Sequence, residues 1–494
     1  MSIKKTTLLL LLLNTCICPV FSQLYEIYIP ISANEKDADA VGYFNPHSST
    51  FILEQQSKGI ITRMLYDTLF NLKKKYTVPA DSVSFSEKSK KPLFLKEYCT
   101  AENIYEIYAN NKGIEIWQLD FETGTDKKAA ALALQEHYKD ERIIAILPGT
   151  EKISFLTLSP KQEKVFLYNY FPGKGIFLQR DFTLPEQSLT KAEIKERGKF
   201  LAVKYPAVLS SLFVSDLKNP SNYQISPANQ LFYNDTAIFI ISGTPYNAGV
   251  HLLQLNRNNG NVSFKNFLIN KIRPDKTGTP VEKIPIAAAY DSLLIIQNSN
   301  AAMLEYSIYN LNTKELIKKY EAEGDNSLYS IVHSDLRQIG TYGSKDEEKE
   351  LTNERRFLRR KNKGLLFMKA GKADNDSLLI TFGSFVMTEG IGGTLLSFAT
   401  SYIGFYLFTP VGAFGVVPYL TLSRNKFLFA HSKFSLQTLQ PSTTTNLVTS
   451  IDKIANDKKI DDLERNSSFI IERNDKLYVG VFNKKKDKYE IFIY

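Results

Sequence analysis

The chain has 494 residues, and its 61 Lys and Arg against 52 Asp and Glu give a formal net charge of +9. The basic residues are interspersed with acidic ones and form no stripe, which argues against nucleic acid as a partner. A chain of this length can bury a sizeable core without the support of disulfides or metals.

The first 22 residues have the three parts of a secretory signal peptide. Lys4 and Lys5 form a basic start, Leu8–Leu13 forms an apolar core, and small or apolar residues precede Gln23. Two alternatives are an uncleaved anchor, for which the apolar run is short, and a lipoprotein, although neither leader cysteine follows the usual Gly, Ala or Ser. The sequence predicts an exported protein, in the periplasm or associated with the outer membrane of a Gram-negative cell.

Cys99 is the single cysteine that a chain starting at residue 23 retains. An internal disulfide is then impossible, and we expect no disulfide-linked partner. A buried, inert thiol is the favoured interpretation of such a residue.

A polar turn followed by a short apolar run recurs along the chain. It occurs as Asn234-Asp235-Thr236 before AIFIIS, Tyr290-Asp291-Ser292 before LLIIQ, Asn375-Asp376-Ser377 before LLITF, and Asn474-Asp475-Lys476 before LYVGVF. A unit reused in this way usually cannot bury its apolar face alone and packs on copies of itself. Aromatic residues, 12% of the chain, lie in alternating short runs typical of half-buried strands.

A second phrase joins two strands through Leu-Asp or Leu-Asn and a few polar residues. It is found at Ile114–Gly124, His251–Phe264 and Ser307–Tyr320. Asn, Asp and Gly tolerate the positive φ of tight turns, so the phrase predicts hairpins.

The Leu-Asp-x-x-Thr-Gly form of this phrase resembles the outer hairpin of β-propeller blades of the quinoprotein and WD-like kind. The resemblance implies an all-β fold, a β-propeller of six to eight blades with seven favoured, in one domain over residues 23–494. Trp117 stands where a blade tryptophan is expected. The terminal segments Leu24–Ile29 and Tyr489–Tyr494 both read as strands, and we expect them to pair and close the ring. The competing fold is two smaller β domains.

Four insertions interrupt the β pattern, at residues 186–205, 344–363, 390–423 and 450–465. The first and last contain short helical patterns with a hydroxyl residue at the N-cap. Residues 344–363 are acidic first and basic last, which complements a helix dipole. They predict a solvated helix or a mobile loop in preference to a binding patch of Arg355, Arg356, Arg359 and Arg360.

The insertion at 390–423 contains no charged residue over 34 positions. Three interpretations compete: a transmembrane helix, which Gly393 and Pro410 disfavour; extra strands that join the core; and an apolar hairpin covered by a protein partner or a membrane surface. The candidate interface residues are Phe398, Tyr402, Phe405, Tyr406, Phe408 and Phe414.

We find no sequence motif for a nucleophile elbow, phosphate loop or calcium loop, and the five histidines have no metal-ligand spacing. The sequence therefore predicts no cofactor, metal or catalytic residues. The favoured function is a non-catalytic binding or scaffolding subunit at the cell envelope. The alternative is a carbohydrate- or peptide-cleaving enzyme whose site is built from loops at the channel mouth.

Overall fold

We describe the fold from a computed structural model of the protein. The described residues are 27–30, 39–45, 50–57, 60–79, 93–99, 103–110, 113–120, 126–134, 141–149, 151–159, 163–184, 213–217, 229–244, 249–268, 285–300, 302–323, 327–339, 349–351, 353–362, 365–374, 376–386, 426–442, 447, 449, 464–473, 476–483 and 488–494. They form seven sheets.

The first three sheets are four-stranded and antiparallel, with their strands in chain order. The first strand of the chain, β1 (Ile27–Pro30), belongs to the last sheet. Sheet I contains β2 (Asp39–Asn45), β3 (Thr50–Ser57), β4 (Ile60–Tyr66) and β5 (Leu72–Pro79). Sheet II contains β6 (Leu93–Cys99), β7 (Ile104–Asn110), β8 (Gly113–Leu119) and β9 (Asp126–Ala133). Sheet III contains β10 (Arg142–Pro148), β11 (Ile153–Ser159), β12 (Lys164–Phe171) and β13 (Gly175–Thr183).

Sheets IV and V also follow chain order, and sheet IV has a fifth strand that runs parallel to its neighbour. Sheet IV contains β14 (Phe213–Asp216), β15 (Asn229–Tyr233), β16 (Ala237–Thr244), β17 (Gly249–Asn256) and β18 (Val262–Leu268). Sheet V contains β19 (Ile286–Tyr290), β20 (Leu293–Ser299), β21 (Met303–Asn310) and β22 (Leu316–Glu323), and a 3₁₀ helix follows at Leu328–Ser330.

Sheet VI departs from chain order, because its outer strands come before its inner ones in the chain. Its elements are β23 (Arg337–Ile339), β24 (Lys349–Glu350), helix α1 (Glu354–Lys361), β25 (Leu365–Asp374), β26 (Ser377–Val386) and β27 (Lys426–Ser435). The strand order across the sheet is β24-β23-β27-β26-β25. In sheet VI the outer strands β23 and β24 therefore come from the segment before α1. In sheets I to III and V the outer strand is the last strand of the sheet in the chain.

Sheet VII joins the two ends of the described chain. It contains β28 (Glu464–Arg473), β29 (Lys476–Asn483) and β30 (Lys488–Ile493), and β1 pairs with β30 as its outer strand. The register runs from Ile27 opposite Ile491 to Pro30 opposite Lys488. The predicted pairing of the terminal strands is confirmed.

Consecutive sheets pack on each other through shared apolar clusters. The clusters join sheets I and II, II and III, III and IV, IV and V, and V and VI. Sheet VII reaches sheet I through the rings of Tyr478 and Phe70, whose centroids lie 6.0 Å apart. The chain therefore has an all-β, propeller-like fold, and the number of blades stays a prediction.

This packing corrects the expectation of half-buried strands for the centre of each sheet. All seven residues of β11 and all seven of β20 are buried. A sheet between two other sheets has both faces covered, so apolar residues run continuously and do not alternate. Outer strands such as β22 are mostly exposed.

The two recurring sequence phrases meet within single sheets. The Asn-Asp-Thr turn of sheet IV accepts a backbone hydrogen bond at Thr236 O from Arg257 N (2.8 Å). In sheet V, Ser292 O accepts from Leu311 N (2.7 Å). In sheet VI, Asp376 O accepts from Leu436 N (2.7 Å). In sheets IV, V and VI the polar turn before the apolar run is therefore hydrogen-bonded to a later turn of the same sheet.

The structure describes only part of the predicted insertions. Residues 186–205 and 390–423 lie outside the described residues, as do residues 450–463. Within 344–363, the helix predicted as solvated does form, but it buries one face: Glu354, Phe357, Leu358 and Lys361 are all covered. The reason is their spacing, which places them along one side of the helix.

Candidate functional site

The apolar insertion leaves the body between two paired strands of sheet VI. Val386, the last residue of β26, lies opposite Lys426, the first residue of β27. The six candidate interface residues between them, from Phe398 to Phe414, lie outside the described residues. The predicted origin of the insertion, between adjacent strands of one sheet, is confirmed.

Three further elements reach the same end of the sheets, here called the root end. Leu365, which begins β25, lies opposite Phe385 near the end of β26. The residues just before β25 are the C-terminal end of α1, and Asn362 accepts a hydrogen bond at Oδ1 from Ser299 Oγ (3.0 Å) at the end of β20. Sheets V and VI and α1 therefore converge where the insertion begins.

Helix α1 is well specified by its sequence. The Asn353 side chain accepts a hydrogen bond from Arg356 N (2.8 Å), which caps the first turn. Glu354 lies in the first turn, and basic residues occupy the last turn, as the helix dipole favours. Arg355, Arg356 and Arg359 are exposed, and Arg360 donates from Nη1 to Gln338 Oε1 (2.5 Å).

Lys361 is the central residue of the root end. Its side chain is buried, with 1% of the residue exposed, and Nζ donates to Ser299 Oγ at 2.7 Å. Nζ also lies 5.8 Å from the centroid of the Phe382 ring, in β26. Burial lowers the pKa of the Lys361 amine to about 7. The lysine thus links α1 to both sheets and is poised to change charge near neutral pH.

Buried polar groups without a hydrogen-bond partner among the described residues lie on the same strand faces as the contacts of this lysine. Within the described part of the chain, both amide atoms of Gln297 and the hydroxyl of Ser384 are unpartnered. Gln297 is 1% exposed and Ser384 is fully buried. Gln297 lies two residues before Ser299 in β20, and Ser384 lies two residues after Phe382 in β26, so each shares a strand face with a contact of Lys361.

Neither Lys361 nor Ser299 is among the candidate residues predicted from the sequence. A signal was present: Glu354, Phe357, Leu358 and Lys361 follow the i, i+3, i+4, i+7 spacing of a buried helix face. The surrounding charges concealed it, because four arginines within the same eight residues make the segment look solvated.

Two of the histidines that the structure describes are neighbours, because His333 N donates to His431 O (2.8 Å), and the third, His251, lies in β17 of sheet IV. His431 Nδ1 is 2.9 Å from Thr381 Oγ1, and His333 Nδ1 accepts from Lys433 N at 2.9 Å. Burial lowers the pKa of His333. His251 packs against the Phe264 ring, with centroids 5.4 Å apart. No group of three or more His, Cys, Asp or Glu in the described ranges is placed to hold a metal ion.

None of the described helices is long and apolar enough to cross a membrane. Cys99 ends β6, and its side chain lies outside the description.

We compared the chain with known proteins. No family model and no curated protein matches it. Among solved structures it is similar to the Dos1 propeller, with a TM-score of 0.32 and 9% identity over 94% of this chain and 95% of that chain. It is also similar to the Cps50 (Swd1) β-propeller domain of Myceliophteria thermophila, with a TM-score of 0.30 and 7% identity over 95% and 99%. The Nup133 β-propeller domain of Vanderwaltozyma polyspora gives 0.30 and 6% over 71% and 81%. At these values we transfer no function from them.

Proposed function

We propose that this chain is an exported, non-catalytic binding or scaffolding subunit that attaches to a protein partner or a membrane surface at the Gram-negative envelope through residues 390–423. The proposal rests on one observation: an uncharged insertion connects two strands that are paired with each other in sheet VI. Its 34 positions without charge begin four residues after Val386 and end three residues before Lys426, which lie opposite each other in one sheet.

The pairing of β26 with β27 explains how the insertion can extend away from the sheets without breaking their hydrogen bonds. Opposed residues of an antiparallel pair lie about 5 Å apart, so the sheet holds both ends of the insertion in place whatever lies between them. Apolar surface that stays in water is unfavourable at about 25 cal/mol per Å². A protruding segment of this composition therefore favours a partner that covers it.

The same proposal counts each of the seven sheets as one blade of the quinoprotein or WD-like kind, in a single domain that begins after a leader of 22 residues. The signal-peptide pattern is the support for export.

The test is to replace residues 390–423 with a short Gly-Ser linker and to compare the variant with the wild-type protein. We expect an unchanged melting temperature, because the paired ends at Val386 and Lys426 remain. We also expect the variant to leave the membrane fraction of the source cell and to become soluble.

A matched control removes exposed apolar residues elsewhere. Phe177 and Leu178 on β13 are 53% and 52% exposed, and Phe177→Ser/Leu178→Ser should fractionate as the wild type does. An unfolded linker variant would show that the insertion belongs to the core. A folded linker variant that stays with the membranes would assign attachment to another surface. Either result would end the proposal.

A further inference from the structure

Among the described residues, the buried amine of Lys361 forms no salt bridge, and Glu354, the buried carboxylate of its own helix, lies two turns away. An ammonium group has three N–H donors. Among the described residues, Nζ of Lys361 has one hydrogen-bond acceptor, Ser299 Oγ, and that hydroxyl already donates to Asn362. Two donors of the ammonium are therefore left without an acceptor. A buried ammonium in this state is strongly unfavourable unless it loses its proton or gains an anion.

Further polar atoms without a partner among the described residues lie on the strand faces that contact Lys361. The Gln297 amide offers two N–H groups and the Ser384 hydroxyl offers one O–H, all unpartnered within the described part of the chain. The amide oxygen of Gln297 and the hydroxyl oxygen of Ser384 are the acceptors they add. Because the charge that the described contacts place between these faces of sheets V and VI is the positive charge of the lysine, an anion suits them better than a cation.

The charged and titratable groups on the surrounding elements do not neutralise the lysine. Glu354 lies two turns earlier on α1, about 10 Å away along the helix axis, and its Oε2 accepts from Leu328 N (3.0 Å). Tyr306 on β21 packs against the Phe382 ring, with centroids 6.0 Å apart, and its hydroxyl lies 3.2 Å from Ser432 Oγ, while burial raises its pKa. The remaining contacts of Lys361, from β20 and β26, are uncharged.

We propose that one small monovalent anion, of the size of chloride, binds between β20, β26 and the end of α1, against the ammonium of Lys361. The ligand must be small, because Lys361, Gln297 and Ser384 are each no more than 1% exposed. The site does not depend on the function of residues 390–423. A bound anion would contact sheet V, sheet VI and the end of α1 at the same time.

Binding of the anion is coupled to a proton. The empty site favours the neutral amine, with a pKa of about 7, because the ammonium is desolvated. The anion binds the protonated form, so its apparent affinity should be constant well below this pKa and fall about tenfold per pH unit above it.

The experiment measures the melting temperature of the full chain in sodium chloride, sodium bromide and sodium gluconate at equal ionic strength and about pH 6.5. Gluconate is too large for a closed site and reports the general effect of salt. We expect a saturable increase in melting temperature with chloride or bromide. The increase should be absent in Lys361→Met, weaker in Ser384→Ala and unchanged in Lys174→Met, which removes an exposed lysine in the turn after β12.

Equal melting temperatures in chloride and gluconate for the wild-type protein, or an equal chloride response in Lys361→Met, would overturn the proposal in favour of bound water. If Lys361→Met fails to fold, crystals of the wild-type protein in bromide decide the question. An anomalous peak beside Lys361 Nζ supports the anion site, and its absence there contradicts it.

Discussion

Two buried cations lie between neighbouring sheets, at opposite parts of the chain, and differ in their partners. Arg63 on β4 and Lys361 at the end of α1 are each 1% exposed. Arg63 Nε donates to Glu54 Oε2 at 2.8 Å, and Nη2 donates to Glu106 of sheet II at 3.1 and 3.2 Å. Lys361 donates to a neutral serine hydroxyl. Equal burial thus leads to a neutralised ion network at one interface and to an uncompensated amine at the other.

The network around Arg63 extends to a second residue of β7. Tyr108 donates from its hydroxyl to Glu106 Oε2 at 2.7 Å. Burial and the charge of Glu106 raise the pKa of Tyr108 well above its ordinary value, so the tyrosine remains a donor at all physiological pH. We conclude that the Arg63 network is structural. Lys361, in contrast, can gain or lose a proton near neutral pH.

The largest effect should follow from breaking the network on one side. Arg63→Met leaves the carboxylates of Glu54 and Glu106 without the shared cation. We expect a loss of about 3–5 kcal/mol in the free energy of unfolding, because a buried carboxylate then lacks its partner. Chemical denaturation measures it. The control Lys128→Met removes an ion pair to Glu115 whose lysine is 44% exposed, and it should cost at most about 1 kcal/mol. Equal losses would refute the structural assignment.

The second effect is the contribution of Lys361 to the pH dependence of the free energy of unfolding. Its folded pKa is about 7 and its ordinary value is 10.5. Between these values the unfolded chain binds one more proton than the folded chain, so stability rises with pH by up to about 1.4 kcal/mol per unit. Below about pH 7 both states are protonated and this slope vanishes.

The measurement is the difference between the wild-type protein and Lys361→Met in denaturation free energy from about pH 6 to about pH 9. We expect the free energy of unfolding of the wild type, relative to that of the variant, to increase by roughly 2–3 kcal/mol as pH rises from about 7 to about 9. Other titrating groups contribute to both proteins and cancel. A constant difference would show that Lys361 keeps its proton in the folded state.

A smaller effect should result when the whole Arg63 network is made apolar. The variant Arg63→Met/Glu54→Leu/Glu106→Met/Tyr108→Phe removes the cation, both carboxylates and the Tyr108 hydroxyl that donates to Glu106. Buried ion networks replaced by apolar residues of similar volume are often neutral or stabilising. We expect this quadruple variant to regain most of the stability that Arg63→Met loses. A quadruple variant as unstable as Arg63→Met would mean that the network adds net stability.

Local patterns in the sequence predicted much of the fold. The turns at Asn234-Asp235-Thr236 and Tyr290-Asp291-Ser292 precede strands as expected, and the terminal strands pair. The turns and strands depend on short-range turn chemistry and on strand patterning, whereas the pairing of the terminal strands was expected because a ring of sheets must be closed. The order of strands in sheet VI was not predictable, because β23 pairs with β27 across about 90 residues of chain.

The candidate site was predictable only in part. The sequence located the root of the insertion between two strands, since the apolar runs on each side of it are clear. It did not give the burial of Lys361, which depends on where β20 of sheet V and β26 of sheet VI place Ser299 and Phe382 around α1. Such contacts join residues that are remote in sequence.

The most direct test of the contrast between the two cations is the titration of Lys361 by NMR. Protein labelled with ¹³C in lysine is titrated from about pH 5 to about pH 11 in gluconate buffer, and the Cε resonance of Lys361 is assigned by its absence from Lys361→Met. We predict a midpoint near 7 that rises when chloride is added, because the uncompensated ammonium is desolvated until an anion pairs with it. A midpoint near the ordinary value of 10.5 in gluconate would contradict the account, since it would mean that the ammonium is already compensated or solvated.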